Sequence, residues 1–124
     1  MITLTLEVPR ECWISSNDRL HYREKARRTK ELREMGATAA AHLHRPMLHR
    51  CEVLVRVQYS SNRRADPPNS YPTVKAIQDG FTDAGVWPDD DSKHITRLSF
   101  ERHETPALLT GIHRLFFEIT PCSG

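Results

Sequence analysis

The sequence predicts a small α/β domain in which a mixed β-sheet is accompanied by two main helices. The chain has 124 residues, which is the length of one ordinary domain. Segments with the two-residue alternation of a half-buried strand occur near its start, middle and end. Two segments of helical composition lie between them, bounded by proline or glycine. Strands that alternate with helices indicate crossover connections within one sheet.

The first part of the chain predicts one strand and one long helix. Residues 2–8 alternate between apolar and polar side chains, so we expect a half-buried strand that Pro9 ends. Residues 10–21 are predicted to form a loop. Residues 22–44 are rich in good helix formers and lack proline, which predicts a helix that Pro46 closes. The predicted apolar stripe of this helix comprises Ala26, Leu32, Met35, Ala39 and Leu43.

The middle of the chain predicts a buried strand followed by a shorter helix. Residues 51–59 place alternate apolar side chains on one face and predict the clearest strand. Residues 60–71 are predicted to form a loop, and residues 72–84 a helix. Pro72 suits the first turn of that helix, and Gly85 suits the position just past its end. Its predicted core stripe comprises Val74, Ile77, Phe81 and Ala84.

Two further strands complete the predicted order β-α-β-α-β-β. They are expected over residues 94–103 and 112–120, separated by a turn at Thr105 and Pro106. This order predicts a mixed sheet with both antiparallel and crossover connections. No repeat, linker or change of composition divides the chain, so residues 1–124 are expected to form a single domain.

Composition favours a soluble globular protein. Hydrophobic residues make up 38% of the chain and charged residues 27%, and no apolar run approaches the length of a membrane span. The first residues do not resemble a secretion signal, so the cytoplasm is the expected location and no membrane partner is expected. The three widely spaced cysteines argue against a disulfide framework or a cysteine zinc site.

Charge is distributed unevenly along the chain. The formal net charge is only +2, but residues 10–64 carry a net charge of +7 and residues 65–91 a net charge of −5. A basic segment can bind phosphates, and a compact acidic segment can bind a divalent cation. The alternative is that both segments are ordinary solvated surfaces.

Two groups of acids flank the shorter predicted helix. Asp66 precedes it, and Asp89, Asp90 and Asp91 follow it, while Lys75 lies at its start. Hard oxygen ligands without cysteine favour Mg²⁺ or Mn²⁺. Carboxylates, a lysine and nearby arginines together are the groups that phosphodiester hydrolysis needs. The alternative is that Asp66 is a turn residue, that residues 89–91 form a solvated loop, and that Lys75 pairs with Asp79 one turn away.

Two segments resemble the signature of the RusA family of Holliday junction resolvases. The family pattern is approximately R-R-x-D-x-D-N, then K-A-x-x-D-x-L-x-x-A-G-hydrophobic-x-x-D-D. Residues 63–69 read RRADPPN and residues 75–90 read KAIQDGFTDAGVWPDD. The spacing from the lysine to the aspartate pair is that of the family. The resemblance is strong over 28 residues, 63–90, and the predicted element order agrees with it over most of the chain.

The resemblance implies a Mg²⁺-dependent endonuclease, with Mn²⁺ as a substitute metal, that acts as a homodimer on branched DNA in a bacterial or phage-infected cell. It implies that Asp66, Lys75 and Asp90 are catalytic, with Asp66, Asp89 and Asp90 as metal ligands. Arg64, with Arg63 beside it, would approach the phosphate backbone. The basic segment around residues 19–33 would supply further phosphate contacts, from Arg19, Arg23, Arg27 and Lys30.

The chain departs from the family pattern at Pro68. The family carries its second aspartate there, and three extra residues separate Asn69 from Lys75. Asn69, Asp91 and Asp79 are the candidates to supply the missing ligand. Asn69 and Asp91 rank above Asp79, because loops converge more easily than a mid-helix residue. We therefore include Asn69 and Asp91 among the expected metal ligands.

The sequence thus predicts a metal-dependent endonuclease that resolves four-way junctions through paired phosphodiester hydrolysis. One alternative is a branched-DNA-binding protein of the same fold that has lost catalysis with the aspartate at position 68. Another is a metal-dependent nuclease without preference for junctions.

Overall fold

The computed structural model describes residues 1–107 and 110–122. No helix within those ranges is long and apolar enough to cross a membrane. The elements are β1 (Ile2–Pro9), α1 (Tyr22–Ala40), β2 (Cys51–Gln58), α2 (Tyr71–Asp83), β3 (Ile95–Arg102) and β4 (Ile112–Pro121). They form one four-stranded sheet in the order β1-β4-β2-β3 with both helices packed against each other.

The sheet is mixed, and the predicted fold class is confirmed. Strand β4 pairs antiparallel with both β1 and β2, whereas β2 and β3 pair in parallel. Because parallel neighbours need a crossover, α2 connects β2 to β3. The same topology places the ends of β1 and β2 and the start of β4 at one end of the sheet.

One face of the sheet forms the core, as the alternating patterns predict. Its buried side chains pack with Leu32 of α1 and with Val74, Ile77 and Phe81 of α2. The opposite face carries half-exposed ion pairs of Arg56 with Glu101 and Glu118. The sheet residues of the core include Leu4, Leu6, Val8, Cys51, Val53, Val55, Val57, Leu115, Phe117 and Ile119.

Most boundaries agree with the sequence prediction to within one residue, and the larger differences lie at the end of α1 and in the loop before α2. Helix α1 ends at Ala40, and a 3-10 turn covers Ala41–Leu43 before His44 adopts a left-handed φ of 56°. The change of direction is physically reasonable because Pro46 cannot continue a helix. The predicted loop before α2 also contains a 3-10 turn over Pro67–Ser70.

The predicted apolar stripe of α1 is wrong at its first residue. Ala26 is exposed, whereas Leu32 is fully buried and Met35, Ala39 and Leu43 are partly buried. The first turns of α1 therefore contribute no apolar side chain to the core. In α2, Val74, Ile77 and Phe81 are fully buried as predicted.

The two helices cross in direct backbone contact through Gly36 and Gly80. A Cβ on Gly36 would collide with the carbonyl of Ile77, and a Cβ on Gly80 would collide with the carbonyl of Arg33 and lie 2.7 Å from the amide nitrogen of Ala37. Neither backbone can move away without separating the helices. Glycine lowers the stability of a helix interior, and the close packing of α1 against α2 offsets this loss. The sequence pattern alone did not indicate this contact.

The turn after α2 is a Schellman motif, which confirms the predicted role of Gly85. Gly85 has a φ of 75°, its N–H donates to the Thr82 carbonyl, and the Val86 N–H donates to the Phe81 carbonyl. Trp87 then enters the core, fully buried, and its indole N–H donates to the Thr82 hydroxyl at 2.7 Å. The loop that begins after Trp87 therefore starts from a residue held in the core.

The loop between β1 and α1 is fastened to the start of α2. The Thr73 hydroxyl accepts a hydrogen bond from the Ile14 N–H at 2.8 Å and donates to the Ile14 carbonyl at 2.9 Å. The Ser16 N–H donates to the Asn69 carbonyl at 2.8 Å. Because Thr73 is buried, these bonds would be costly to leave unmade.

We predict that Gly80→Ala lowers the free energy of unfolding by roughly 1–3 kcal/mol, the usual cost of forcing extra volume into a packed interface. At an exposed helical position the same change would raise it by about 1 kcal/mol. Urea unfolding followed by circular dichroism measures the difference.

The matched control for this experiment is Ala26→Gly. Ala26 is an exposed position of α1, so the change should lower the free energy of unfolding by about 1 kcal/mol through helix propensity alone. A Gly80→Ala variant more stable than the wild type would contradict the tight crossing.

Candidate functional site

Lys75 is the centre of an acidic cluster at the surface of α2. Its ammonium group donates to Asp79 Oδ1 at 2.8 Å and to Asp90 Oδ2 at 2.6 Å. Asp79 lies one turn further along the helix, while Asp90 belongs to the loop after Trp87. The Asp90 side chain is only 13% exposed, against 43% for Lys75. One lysine therefore joins a helix carboxylate to a loop carboxylate.

The loop reaches Lys75 because both its ends are constrained. The Schellman turn and buried Trp87 fix where it begins. Asp89 Oδ1 then accepts a hydrogen bond from the Asp90 N–H at 2.8 Å, which stabilises the backbone at Asp90. At the far end, Asp91 Oδ1 accepts from the Lys93 N–H at 3.1 Å and from the His94 N–H at 3.3 Å.

The carboxylates hold Lys75 in its charged form. Partial burial lowers the pKa of the ammonium, but the hydrogen bonds from Lys75 to Asp79 and Asp90 outweigh it, and the pKa lies above its usual value. An ammonium group has three N–H donors, and two of them are used by these acids. The third remains for a negatively charged ligand. Lys75 is thus a positive charge in this cluster and not a proton acceptor.

Asp66 does not join this cluster in the described part of the chain. Its side chain is exposed and forms no cap on the 3-10 turn that follows. Burial is the main cause that raises the pKa of Tyr59, and the charge of Asp66 raises it further. Asp66 does not contribute to the shifted pKa of Lys75. The sequence prediction that Asp66 is catalytic and binds a metal with Asp90 stays a prediction.

The two preferred substitutes for the missing aspartate take part in local structure, Asp91 through its carboxylate and Asn69 through its backbone. The Asn69 backbone bonds to Asp66 and Ser16, and Asp91 caps its own turn. Asp79, which was ranked below them, is the acid that shares Lys75 with Asp90. The loop returns along α2, so this mid-helix residue does meet it. Which of the three residues supplies the missing metal ligand stays a prediction.

The donor chemistry at Asp79, Asp89 and Asp90 suits a hard divalent cation, although no complete site is formed. No group of three or more carboxylate, imidazole or thiolate side chains within residues 1–107 and 110–122 is placed to hold a metal ion. Mg²⁺ commonly binds one or two protein carboxylates and takes its remaining ligands from water and substrate phosphates. The aspartates of this loop supply that minimal kind of donor set.

Among the predicted DNA-binding residues of α1, Arg27 is the most constrained. It forms ion pairs with Glu24 at 2.6 Å and Glu31 at 2.8 Å and donates to the Glu11 carbonyl. The hydrogen bonds from Arg27 and then Arg28 lower the pKa of Glu24 to about 2. The charge of Arg27 is therefore compensated within the protein.

A shallow basic groove runs along α1 and includes Lys30. It encloses about 540 Å³ and is lined by Lys25, Lys30, Arg33 and Tyr22, among others. Arg33 forms a bidentate pair with Asp83 of α2 at 2.6 and 2.8 Å. Asp79 and Asp90 also raise the pKa of Arg33, so this end of the groove lies beside the acidic cluster.

The other predicted DNA-binding residues are exposed. Arg23 lies on the Tyr22 ring, with its guanidinium carbon 5.7 Å from the ring centroid. Arg19 lines a cavity between the first loop and the start of α2. Arg63 and Arg64 lie in the loop after β2 and line a cleft with Arg10.

The sequence matches no protein-family model and no curated protein. The roles of the site residues therefore depend on their own geometry. Sequence reasoning considered Asp79 as an ion-pair partner of Lys75 and as the lowest-ranked candidate for the missing ligand, and it did not single out Arg10, Tyr59 or His113. The spacing of four residues was a signal for Asp79, but no sequence signal links three residues that only the sheet topology brings together.

We predict that His113 makes stability fall with acidification below about pH 6.5. Burial, and then the charge of Arg10, lower the pKa of His113 from its usual 6.5. The unfolded chain therefore binds a proton more readily than the folded one, so the stabilisation is complete above pH 6.5 and declines as the pH falls toward the lower folded value. Thermal melts over this range measure the slope.

The control for the His113 prediction uses a histidine outside the core. His113→Gln should remove this part of the pH dependence, whereas His42→Gln, at an exposed position, should retain it. NMR titration of the His113 ring gives its pKa directly, and an ordinary or raised value would contradict the prediction.

Proposed function

We propose that the chain is a divalent-metal-dependent DNA endonuclease of the RusA type that cuts four-way junctions as a homodimer. The observation that carries the proposal is the contact between Lys75 and Asp90. These residues hold matching positions in the family pattern, are 15 residues apart, and meet at 2.6 Å through their charged groups. The contact thus brings the lysine and the aspartate of the pattern to one place, as a shared site requires.

The chemistry of the cluster suits phosphodiester hydrolysis. The free N–H of Lys75 can donate to a phosphate oxygen and stabilise the charge that develops on it. Asp90 and Asp79 orient the ammonium group, because each accepts one of its other hydrogens. A bound Mg²⁺ would supply charge neutralisation and an activated water, and Asp89 and Asp90 are the residues that would hold it.

The electrostatic surroundings of the cluster support DNA as the substrate. Lys25 and Lys30 form no ion pair within the described residues, and both line the groove that ends near Asp79 and Asp90. Unpaired lysines along a helix can bind successive phosphates. DNA lying in this groove would bring a phosphodiester toward Lys75.

The substrate argues for two copies of the chain. A four-way junction has two-fold symmetry and is resolved by two matched nicks. A homodimer with a two-fold axis presents two identical sites. Dimerisation is therefore part of the proposed reaction.

A second candidate is a non-catalytic branched-DNA-binding protein of the same fold. Pro68 stands where the family has a carboxylate, and the described residues form no three-ligand metal site. The basic groove would serve this function equally well. A nicking assay on a four-way junction with Mg²⁺ separates the two functions, because only the nuclease yields product. Comparison with linear duplex then reports the preference for junctions.

We predict that Asp90→Asn abolishes nicking while junction binding persists, because the substitution removes a charge and leaves the shape. Lys75→Ala should lower turnover by about 10²-fold or more, the usual scale for one electrostatic group. Gel-shift and single-turnover nicking assays with Mg²⁺ measure the two properties separately.

Asp83→Asn is the matched control for these variants. Asp83 is an exposed aspartate of the same helix that pairs with Arg33 and does not touch Lys75. It should retain wild-type turnover. Full activity in Asp90→Asn would remove the cluster from catalysis, and binding without nicking by the wild type would favour the non-catalytic function.

We predict that DNA binding weakens steeply with salt, because neutralised phosphates release counterions. Replacing Arg23 and Lys30 together by glutamine should flatten the plot of log affinity against log salt by about one unit per lost contact. Arg27→Gln should change the slope little, since Glu24 and Glu31 already compensate its charge. Fluorescence anisotropy with a labelled junction measures these slopes, and equal flattening by Arg27→Gln would contradict the assignment of the groove.

A further inference from the structure

A second feature suited to DNA lies at the end of the sheet where β1 and β2 end and β4 begins. It is a cleft of about 360 Å³. Arg10 follows β1, Tyr59 follows β2, and His113 is the second residue of β4. The strand order β1-β4-β2 brings these positions together although they are widely separated in sequence. The loop after β2 adds Arg63 and Arg64 to the rim.

The cleft is lined by three arginines, and the charge of Asp66, which follows the lining residue Ala65, also acts on Tyr59. None of the described residues that line it is acidic. Within residues 1–107 and 110–122, no carboxylate forms an ion pair with Arg10, Arg63 or Arg64. This contrasts with Arg27, Arg33 and other paired arginines of the same chain. Three uncompensated guanidinium groups around one cleft favour an anion, and guanidinium groups match phosphate oxygens well.

Aromatic side chains form the inner part of the cleft. The rings of Tyr59 and His113 lie edge to face, with centroids 5.4 Å apart, and Trp13 packs on His113 at 4.6 Å. Backbone N–H of Ser60 donates to His113 Nδ1 at 3.0 Å. Because Nδ1 accepts this bond, the ring proton lies on Nε2, which is a hydrogen-bond donor.

The loop on the rim is ordered by a fourth arginine. The Arg102 guanidinium lies over the Tyr59 ring, 4.9 Å from its centroid, and donates to the Ser61 carbonyl at 3.2 Å. Arg102 thereby ties β3 to the loop that carries Arg63 and Arg64. This bond fixes the start of the loop at Ser61, two residues before Arg63.

We propose that this cleft binds one unstacked nucleotide of a DNA strand, with its phosphate on Arg10, Arg63 and Arg64 and its base against Tyr59 and His113. A volume of this size accommodates a single nucleotide but not a duplex. Arginine with aromatic rings is the combination that binds unpaired nucleotides. The inference rests on the DNA-binding part of the proposed function and not on catalysis.

The cleft is separate from the acidic cluster. In the described residues, no hydrogen bond or ion pair joins Arg10, Tyr59 or His113 to Lys75 or Asp90. The loop from Ser60 to Asp66 leads from the cleft to the start of α2. A strand held in the cleft would therefore anchor unpaired DNA near the helix that carries Lys75.

Binding to the metal-free protein tests the proposal without any cleavage. A short thymidine oligonucleotide, thymidine 5′-monophosphate, thymidine and inorganic phosphate are titrated separately, and tryptophan fluorescence is followed. Trp13 packs on His113, which lines the cleft, whereas Trp87 is fully buried in the core, so a change in fluorescence is expected to report the cleft. We expect the oligonucleotide and the monophosphate to bind, and thymidine or phosphate to bind at least about tenfold more weakly, because each lacks half of the contacts.

Variants locate the binding. Arg10→Gln and Arg63→Gln should each weaken oligonucleotide binding by about tenfold or more, the scale of a lost charge-assisted hydrogen bond. Arg97→Gln, an exposed arginine of β3 outside the cleft, is the matched control and should leave it unchanged. Equal weakening by Arg97→Gln would mean general charge attraction and overturn the proposal.

The remaining outcomes separate this inference from the nuclease proposal. Inorganic phosphate that binds as tightly as the monophosphate would overturn the nucleotide assignment. A wild-type chain that binds junctions but not the oligonucleotide would also overturn it, whatever its nicking activity. Oligonucleotide binding that depends on Arg10, in a chain that nicks nothing, would support the cleft and refute catalysis.

Discussion

The closeness of α1 and α2 is the constraint on which the rest of the structure depends. Gly36 and Gly80 remove the side chains at the crossing, and each glycine lies against the backbone of the opposite helix. Larger residues would separate the helices and withdraw Val74, Ile77 and Phe81 from the sheet. The same closeness lets Arg33 of α1 reach Asp83 of α2 and places the basic groove beside the acidic cluster. Packing and electrostatics are therefore set by the same two small residues.

The second determinant is the turn that follows α2. The left-handed backbone of Gly85 reverses the chain, and Trp87 fills the core beside Phe81, with ring centroids 6.1 Å apart. The loop therefore cannot extend away from the helix that it has just left. Asp90 is brought against Lys75 at low solvent exposure, where a charged hydrogen bond is stronger than at an open surface. The burial of Trp87 thus positions the contact between Asp90 and Lys75, because the loop starts from a residue fixed in the core.

The charges of the chain fall into two groups with different consequences. The charges of Arg27, Arg33 and Lys75 are compensated by nearby carboxylates. They therefore hold neighbouring side chains in place and attract DNA only weakly from a distance. Those of Arg10, Arg63 and Arg64 have no acidic partner in the described residues and are available to a ligand. A net charge of only +2 conceals this difference, because compensation depends on distance and not on composition. Counting basic residues along α1 therefore overstates the availability of Arg27.

The sequence by itself determined the element order, the buried face of each strand and the turn at Gly85, because these depend on local periodicity and backbone preference. It also determined which acids and which lysine are candidates for chemistry. Only the tertiary structure decided that Asp79 shares Lys75 with Asp90, that Asp66 stays apart, and that Gly80 serves a helix crossing. The cleft of Arg10, Tyr59 and His113 likewise depends on strand order, which pairs β4 between β1 and β2. The physical reason is that contacts between distant residues follow from how elements pack, and that packing is a property of the whole core.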